Sequence, residues 1–127
     1  MKIFRYKPAH EEDILSAITE DPNWEIFTND AAIDHYRRSL KTSITYVGYE
    51  KGHFCGYLRA LLDADFAIYI SELYVVPDWR NRMIARSLLS RVKMDFNHLT
   101  VYALSDEDAY YEKLGHKKCG SLFEIHA

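Results

Sequence analysis

Residues 71–92 read SELYVVPDWRNRMIARSLLSRV, and they hold the one change of rhythm that organises the chain. Leu73, Tyr74, Val75 and Val76 are β-branched, aromatic or aliphatic and stop at Pro77, which describes a buried strand ending at a residue that lacks a backbone donor. After Pro77 the apolar residues Ala85, Leu88, Leu89, Val92 and Phe96 recur at helical spacing, predicting a helix from about Arg80 to Asp95. Arg80, Arg82, Arg86, Arg91 and Lys93 lie between Asp78 and Asp95 with no acid among them. A helix N-terminus is already partly positive and has free amides, so arginines there favour a bound anion, with phosphate or pyrophosphate the simplest. A solvated basic helix face is the competing reading.

Working outward, Ile3, Phe4 and Tyr6 indicate a short first strand closed by Pro8. Glu11, Glu12 and Asp13 then suit the start of a helix carrying Ile14, Leu15 and Ile18, which Asp21-Pro22-Asn23 stops. Asn29 or Asp30 can cap a second helix with Ile33, Tyr36, Arg37 and Leu40 on one stripe. ITYVGY, HFCGYLRALL and FAIYISELYVV, separated by Lys51-Gly52 and Asp63-Ala64-Asp65, read as a three-strand antiparallel meander. Beyond the central helix, LTVYAL reads as a strand, SDEDAYYEKLG as a helix ended by Gly115, and CGSLFEI as a last strand. The expected order is β-α-α-β-β-β-α-β-α-β, a mixed α/β fold with a mainly antiparallel central sheet flanked by helices, in one domain spanning 1–127.

At 127 residues and 48% apolar composition the chain can bury a core without a metal or disulfide staple. Its net charge of −3 argues against a general nucleic-acid-binding role. Cys55 and Cys119 read as ordinary buried thiols, and the six histidines show no paired ligand spacing, so no metal site is expected. The charged N-terminus and the absence of a long apolar run predict neither signal peptide nor membrane span, hence a cytoplasmic protein.

ELYVVPDWRNRMIARSLL resembles the central motif of the GNAT family of N-acetyltransferases, in which a strand ending at proline leads into Arg/Gln-x-x-Gly-x-Gly/Ala. YKPAHEEDILSAI resembles the family's opening strand and helix, VGYEKGHFCGYL its glycine-marked hairpin and AYYEKLGHKKCG its closing segment. The resemblance implies a GNAT-like fold and direct transfer of an acetyl group from acetyl-CoA to an amine of a small molecule or protein. It implies that Arg80, Asn81, Arg82, Met83, Ile84 and Ala85 hold the coenzyme pyrophosphate and that Leu73, Tyr74 and Val75 pair with its pantetheine arm. A homodimer through an exposed strand is common among such relatives. Met83 departs from the pattern, standing where the family has its first glycine. Two arrangements are open: helical dihedrals with the side chain turned away, or a side chain filling the groove in a family member that has lost its cofactor; the alternative function is a non-catalytic acyl-CoA-binding regulatory module that keeps the fold and the turn.

Acetyl transfer needs a neutral amine, a stabilised oxyanion and a proton for the departing thiolate. The family's Tyr-x-x-x-Gly pattern puts Tyr111 in the last role, against the plain reading of a packing tyrosine beside Tyr110. Glu72, just before the coenzyme-contacting strand, is the candidate general base, or else a rim carboxylate paired with a lysine or arginine. Strand alternation sets it on one face with Ile70 and Tyr74 unless a bulge intervenes. The Val75 amide is the oxyanion donor by resemblance. Trp24, Phe27, Tyr36 and the Asp63–Asp65 turn are candidates for the acceptor pocket, while His35 on the second helix reads as facing solvent.

Overall fold

In a computed structural model of residues 1–127, five strands form one sheet in sequence order: β1 (Lys2–Arg5), β2 (Ile44–Glu50), β3 (His53–Asp63), β4 (Ala67–Val75) and β5 (Thr100–Ala103). The first four are antiparallel to their neighbours and β4 pairs with β5 in parallel. The parallel pair requires a crossover, supplied by α4 (Ile84–Asp95). The other helices are α1 (Glu11–Thr19), the single turn α2 (Glu25–Thr28), α3 (Ile33–Thr42) and α5 (Asp108–Lys113).

Each sheet face has its own core. α4 lays Ile84, Leu88 and Val92 on Tyr46, Leu58, Ile68 and Ile70. Opposite, Ile14, Leu15 and Ile18 of α1 and Tyr36 and Leu40 of α3 cover Val47, Tyr57 and Tyr74. The helical stripes read from the sequence match these buried faces except on α4, where Ile84 rather than Ala85 joins Leu88 and Val92 in the core; each fully buried aliphatic chain contributes about 1.5–3 kcal/mol.

Four details differ from the sequence reading. The central helix starts at Ile84 because Asn81 (φ 64°) and Met83 (φ 63°) are left-handed, a conformation through which a right-handed helix cannot run. Neither Asn29 nor Asp30 is the N-cap of the second helix: Ala32 holds that position without a side-chain bond, and the Asn29 side chain accepts from Ala32 N–H at 3.0 Å in the turn before it. CGSLFEI is not a strand. Gly115 (φ 88°) ends α5 and residues 116–127 run without a sheet partner, leaving Leu122, Phe123 and Ile125 76%, 79% and 87% exposed. Strand propensity alone makes no strand where no ladder forms. Cys55 is buried as expected, but Cys119, on that segment, is exposed. No helix is long and apolar enough to cross a membrane.

Candidate active site

The sheet opens where the motif begins. β4 pairs with β5 only over Ala67–Ile70 against Thr100–Ala103, with one further bond from Leu104 N–H to Ile70 C=O at 2.9 Å. From Glu72 to Val75 β4 keeps its β3 partner and has no β5 partner. Val76 N–H donates to Cys55 C=O on β3 at 2.8 Å, so by the strand's period of two Val75 N–H points to the open edge. Gly56 permits this geometry: a Cβ there would collide with Tyr74 C=O and lie 3.2 Å from Val75 Cα.

The open edge leads into the arginine turn. A 3-10 turn, Pro77–Trp79, brings Arg80 back so that its Nε donates to Val75 C=O at 3.0 Å. Arg82 stacks over the Trp79 ring at 4.8 Å, with His53 6.3 Å from the same ring. The first bond of α4 runs from Ser87 N–H to Met83 C=O at 3.0 Å, leaving the amides of Ile84, Ala85 and Arg86 without helical acceptors. Met83 takes the left-handed conformation that glycine would take, while its side chain is 68% exposed. The helical dihedrals of the first arrangement are not observed, and the side chain is exposed to solvent. An extended open edge feeding a turn of free amides beside arginines fits the pantetheine and pyrophosphate of a coenzyme.

Glu72 lies on the other face. Arg59 pairs with Glu72 and Ala60 with Ile70, so Ser71 is an extra residue, a bulge that turns Ile70 towards α4 and Glu72 and Tyr74 towards α1 and α3. The expected grouping with Tyr74 holds and that with Ile70 does not. Of its two readings, pairing with an arginine is realised, in the interior rather than at a rim. Glu72 is 5% exposed; Oε1 accepts from Arg59 Nε–H and from Tyr36 O–H, both at 2.6 Å, and Oε2 from Arg59 Nη2–H at 2.8 Å. Tyr36 Oη is also 2.7 Å from Tyr57 Oη. Burial, then the neighbouring Tyr57 phenol and Glu72 carboxylate, push Tyr36 far above the ordinary phenol value, and burial does the same for Tyr57. Burial pulls Arg59 down, but its bonds to Glu72 outweigh this and raise it overall.

The sequence reading missed Arg59 and Tyr57. The signal for Arg59 was present: a lone arginine within CGYLRALL must find an acid when that strand is buried. Trp24, Phe27 and Tyr36 do gather, with Trp24 5.0 Å from Tyr74 and 6.1 Å from Tyr57, and Phe27 4.6 Å from Tyr36. The Asp63–Asp65 turn is exposed and does not join them. His35 is exposed, 2.7 Å from Arg38.

Tyr111 approaches from α5. It lines a cavity of about 970 Å³ shared with Ile70 and Ala103, at the end of the β4–β5 pairing. Burial first, then Tyr110 and Asp106, push its hydroxyl up to about 12.

The model of the acetyltransferase (GNAT) domain matches residues 9–126, and the chain belongs to that family. Comparison by sequence with curated proteins finds no match. Among solved structures, an aminoglycoside acetyltransferase from an uncultured soil metagenomic sample is 25% identical, covering 99% of this chain and 97% of its own, with TM-score 0.75. A GNAT family protein from Streptococcus pneumoniae is 18% identical over 98% and 97% of the two chains, with TM-score 0.77. The aminoglycoside N-acetyltransferase AAC(6')-Iy in complex with CoA is 14% identical over 99% and 93%, with TM-score 0.79.

Proposed function

We propose that the 127 residues form one acetyltransferase domain that moves an acetyl group from acetyl-CoA directly to an amine. The observation that carries this reading is the parting of β4 from β5, with Val75 N–H on the open edge leading into the free amides of Ile84 and Ala85. Leu73, Tyr74 and Val75 would hold the pantetheine arm, and Arg80 to Ala85 the pyrophosphate. Acetyl-CoA, when bound, supplies an activated acyl carbon. Val75 N–H then donates to the carbonyl oxygen as negative charge develops there. Tyr111 would supply the proton to the departing thiolate, a transfer that its burial opposes by making it a weaker acid than an ordinary phenol.

The acceptor is a small-molecule or protein amine. The aminoglycoside acetyltransferases among the structural neighbours, one of them in complex with a CoA-acetylneamine bisubstrate analogue, support a small polyamine-like acceptor. A cytoplasmic setting accords with that chemistry. The open outer edge of β5 and the exposed Leu122, Phe123 and Ile125 support a homodimer, which light scattering tests.

The alternative, a non-catalytic acyl-CoA-binding module, is favoured by one observation: Arg59 and Tyr36 close around Glu72. Thiol release from acetyl-CoA over a panel of primary amines separates the two. Amine-dependent release supports the enzyme; saturable coenzyme binding without release to any amine supports the module.

A further inference from the structure

Val75 offers the open edge more than its N–H. A strand residue turns its N–H and C=O to the same side, so Leu73 and Val75 present both groups to the side that β5 has left, while Val76, bonded to Cys55 at 2.8 Å, faces β3. An amide chain lying along that edge as a strand would use these groups, and the pantetheine arm is such a chain. One of them is already taken: Arg80 Nε–H donates to Val75 C=O at 3.0 Å, and its guanidinium lies over the Tyr74 ring at 5.8 Å. The guanidinium therefore stands beyond that oxygen, in the path of the arm. Arg80 has no carboxylate partner, since none of the chain's ion pairs includes it. Its backbone is fixed by the turn, with Arg80 N–H bonded to Pro77 C=O at 3.2 Å, but its side chain is exposed and can leave the carbonyl by a change of rotamer alone.

We propose that Arg80 is a specificity-determining residue that admits the coenzyme arm only when the arm brings a diphosphate with it. This deepens the acetyltransferase reading and rests on it. In the free protein Arg80 holds Val75 C=O and bars the edge. The free amides of Ile84 and Ala85, on the same turn, draw a diphosphate, and that anion gives Arg80 the partner it lacks. A fork of charge-assisted bonds to phosphate oxygens is stronger than one exposed bond to a neutral carbonyl, so the guanidinium turns to the phosphates and Val75 C=O is released to the arm. A thioester of pantetheine without the diphosphate must displace Arg80 while supplying it no partner. Such thioesters are the class that this contact rejects, over and above the phosphate contacts they cannot make.

The test is calorimetric titration of the full chain with acetyl-CoA and, separately, with acetylpantetheine. Arg80→Ala removes both the bond to Val75 and the charge. It is expected to bind acetyl-CoA about tenfold more weakly than the parent and acetylpantetheine about threefold more tightly, the scale of one charge-assisted hydrogen bond discounted for exposure. Arg80→Gln separates the two roles, because Gln Nε2 stands as many bonds from Cα as Arg Nε and keeps a donor for Val75 C=O without the charge. It should lose acetyl-CoA affinity as the alanine variant does and hold acetylpantetheine no better than the parent. A purely structural role for Arg80 in shaping the groove predicts instead that Arg80→Ala weakens both ligands. Acetylpantetheine held no more tightly by Arg80→Ala than by the parent, undetectable binding in both included, overturns the proposal, and so does an unchanged affinity for acetyl-CoA. The side chain is exposed, so melting should stay cooperative. If Arg80→Ala does not fold, Arg80→Met, of similar reach and with neither donor nor charge, carries the same expectations. Failure of the folded parent to bind acetyl-CoA overturns the acetyltransferase reading itself and this inference with it.

Discussion

Replacing Met83 with glycine tests how the coenzyme turn is built. Met83 sits at φ 63°, ψ 18°, and its side chain is 68% exposed. Holding a side-chain-bearing residue in that left-handed conformation costs about 1–2 kcal/mol. Glycine removes the cost but gives the unfolded chain more freedom, which offsets about 0.4–1 kcal/mol. Little buried surface is lost. The net expectation for Met83→Gly is a gain of about 0.5–1 kcal/mol, or roughly 2–5 °C in Tm for a chain of this size. Coenzyme affinity should be unchanged or tighter, because the amides of Ile84 and Ala85 keep their places and one side chain leaves the approach. Thermal unfolding followed by circular dichroism reads the first effect and calorimetry the second. A fall in Tm of several degrees, or a much weaker complex, would show that the methionine side chain is an element of the turn, and the strain reasoning would be wrong.

Gly56→Ala should destabilise the fold by about 1–3 kcal/mol, since the new Cβ meets Tyr74 C=O, and should weaken coenzyme binding by displacing Val75; urea unfolding and titration measure the two effects. Arg59→Ala strands the buried Glu72 and is expected to cost about 3–5 kcal/mol, read by urea denaturation, with Arg59→Ala/Glu72→Ala recovering part of the loss. Tyr111→Phe should lower turnover with coenzyme affinity nearly unchanged. Because the Tyr111 hydroxyl is pushed up to about 12, it keeps its proton well past the ordinary phenol range, so kcat should show no falling alkaline limb from Tyr111 below about pH 11; a limb near pH 10 that Tyr111→Phe removes contradicts this. Asp95 is held below the usual carboxylate range, first by the Tyr46 hydroxyl and also by Arg91. Its folded-state affinity for protons is lower than in the unfolded chain, so its contribution is present above the ordinary Asp range and is lost as pH falls through the folded value. Acid titration of Tyr46→Phe should therefore show a weaker dependence of stability on pH in that window.

The legible parts of the molecule are those whose cause is local. The strand ending at Pro77, the helical stripes of Ile14 to Ile18 and Ile33 to Leu40, and the turns at Lys51-Gly52 and Asp63-Ala64-Asp65 follow from residue type and period. The Ser71 bulge is not local. It arises from ladder register between β3 and β4, and it decides which core receives Glu72. The meeting of Arg59, Glu72, Tyr36 and Tyr57 likewise needs β3, β4 and α3 assembled before any of these residues are neighbours. The helix start was misjudged because Arg80 to Met83 contain no proline or glycine; only the left-handed Asn81 and Met83 reveal the interruption. The last segment failed for the opposite reason: Leu122, Phe123 and Ile125 have strand-forming chemistry, but pairing, not propensity, makes a strand.

The central claim is that the parted strands and the arginine turn hold a coenzyme, and calorimetric titration of the folded chain with acetyl-CoA tests it most directly. The structure predicts saturable binding, retained with free CoA and strongly reduced with acetylpantetheine, which lacks the pyrophosphate that the turn would hold. No binding of acetyl-CoA by cooperatively folded protein, or equal binding of acetylpantetheine, would contradict it.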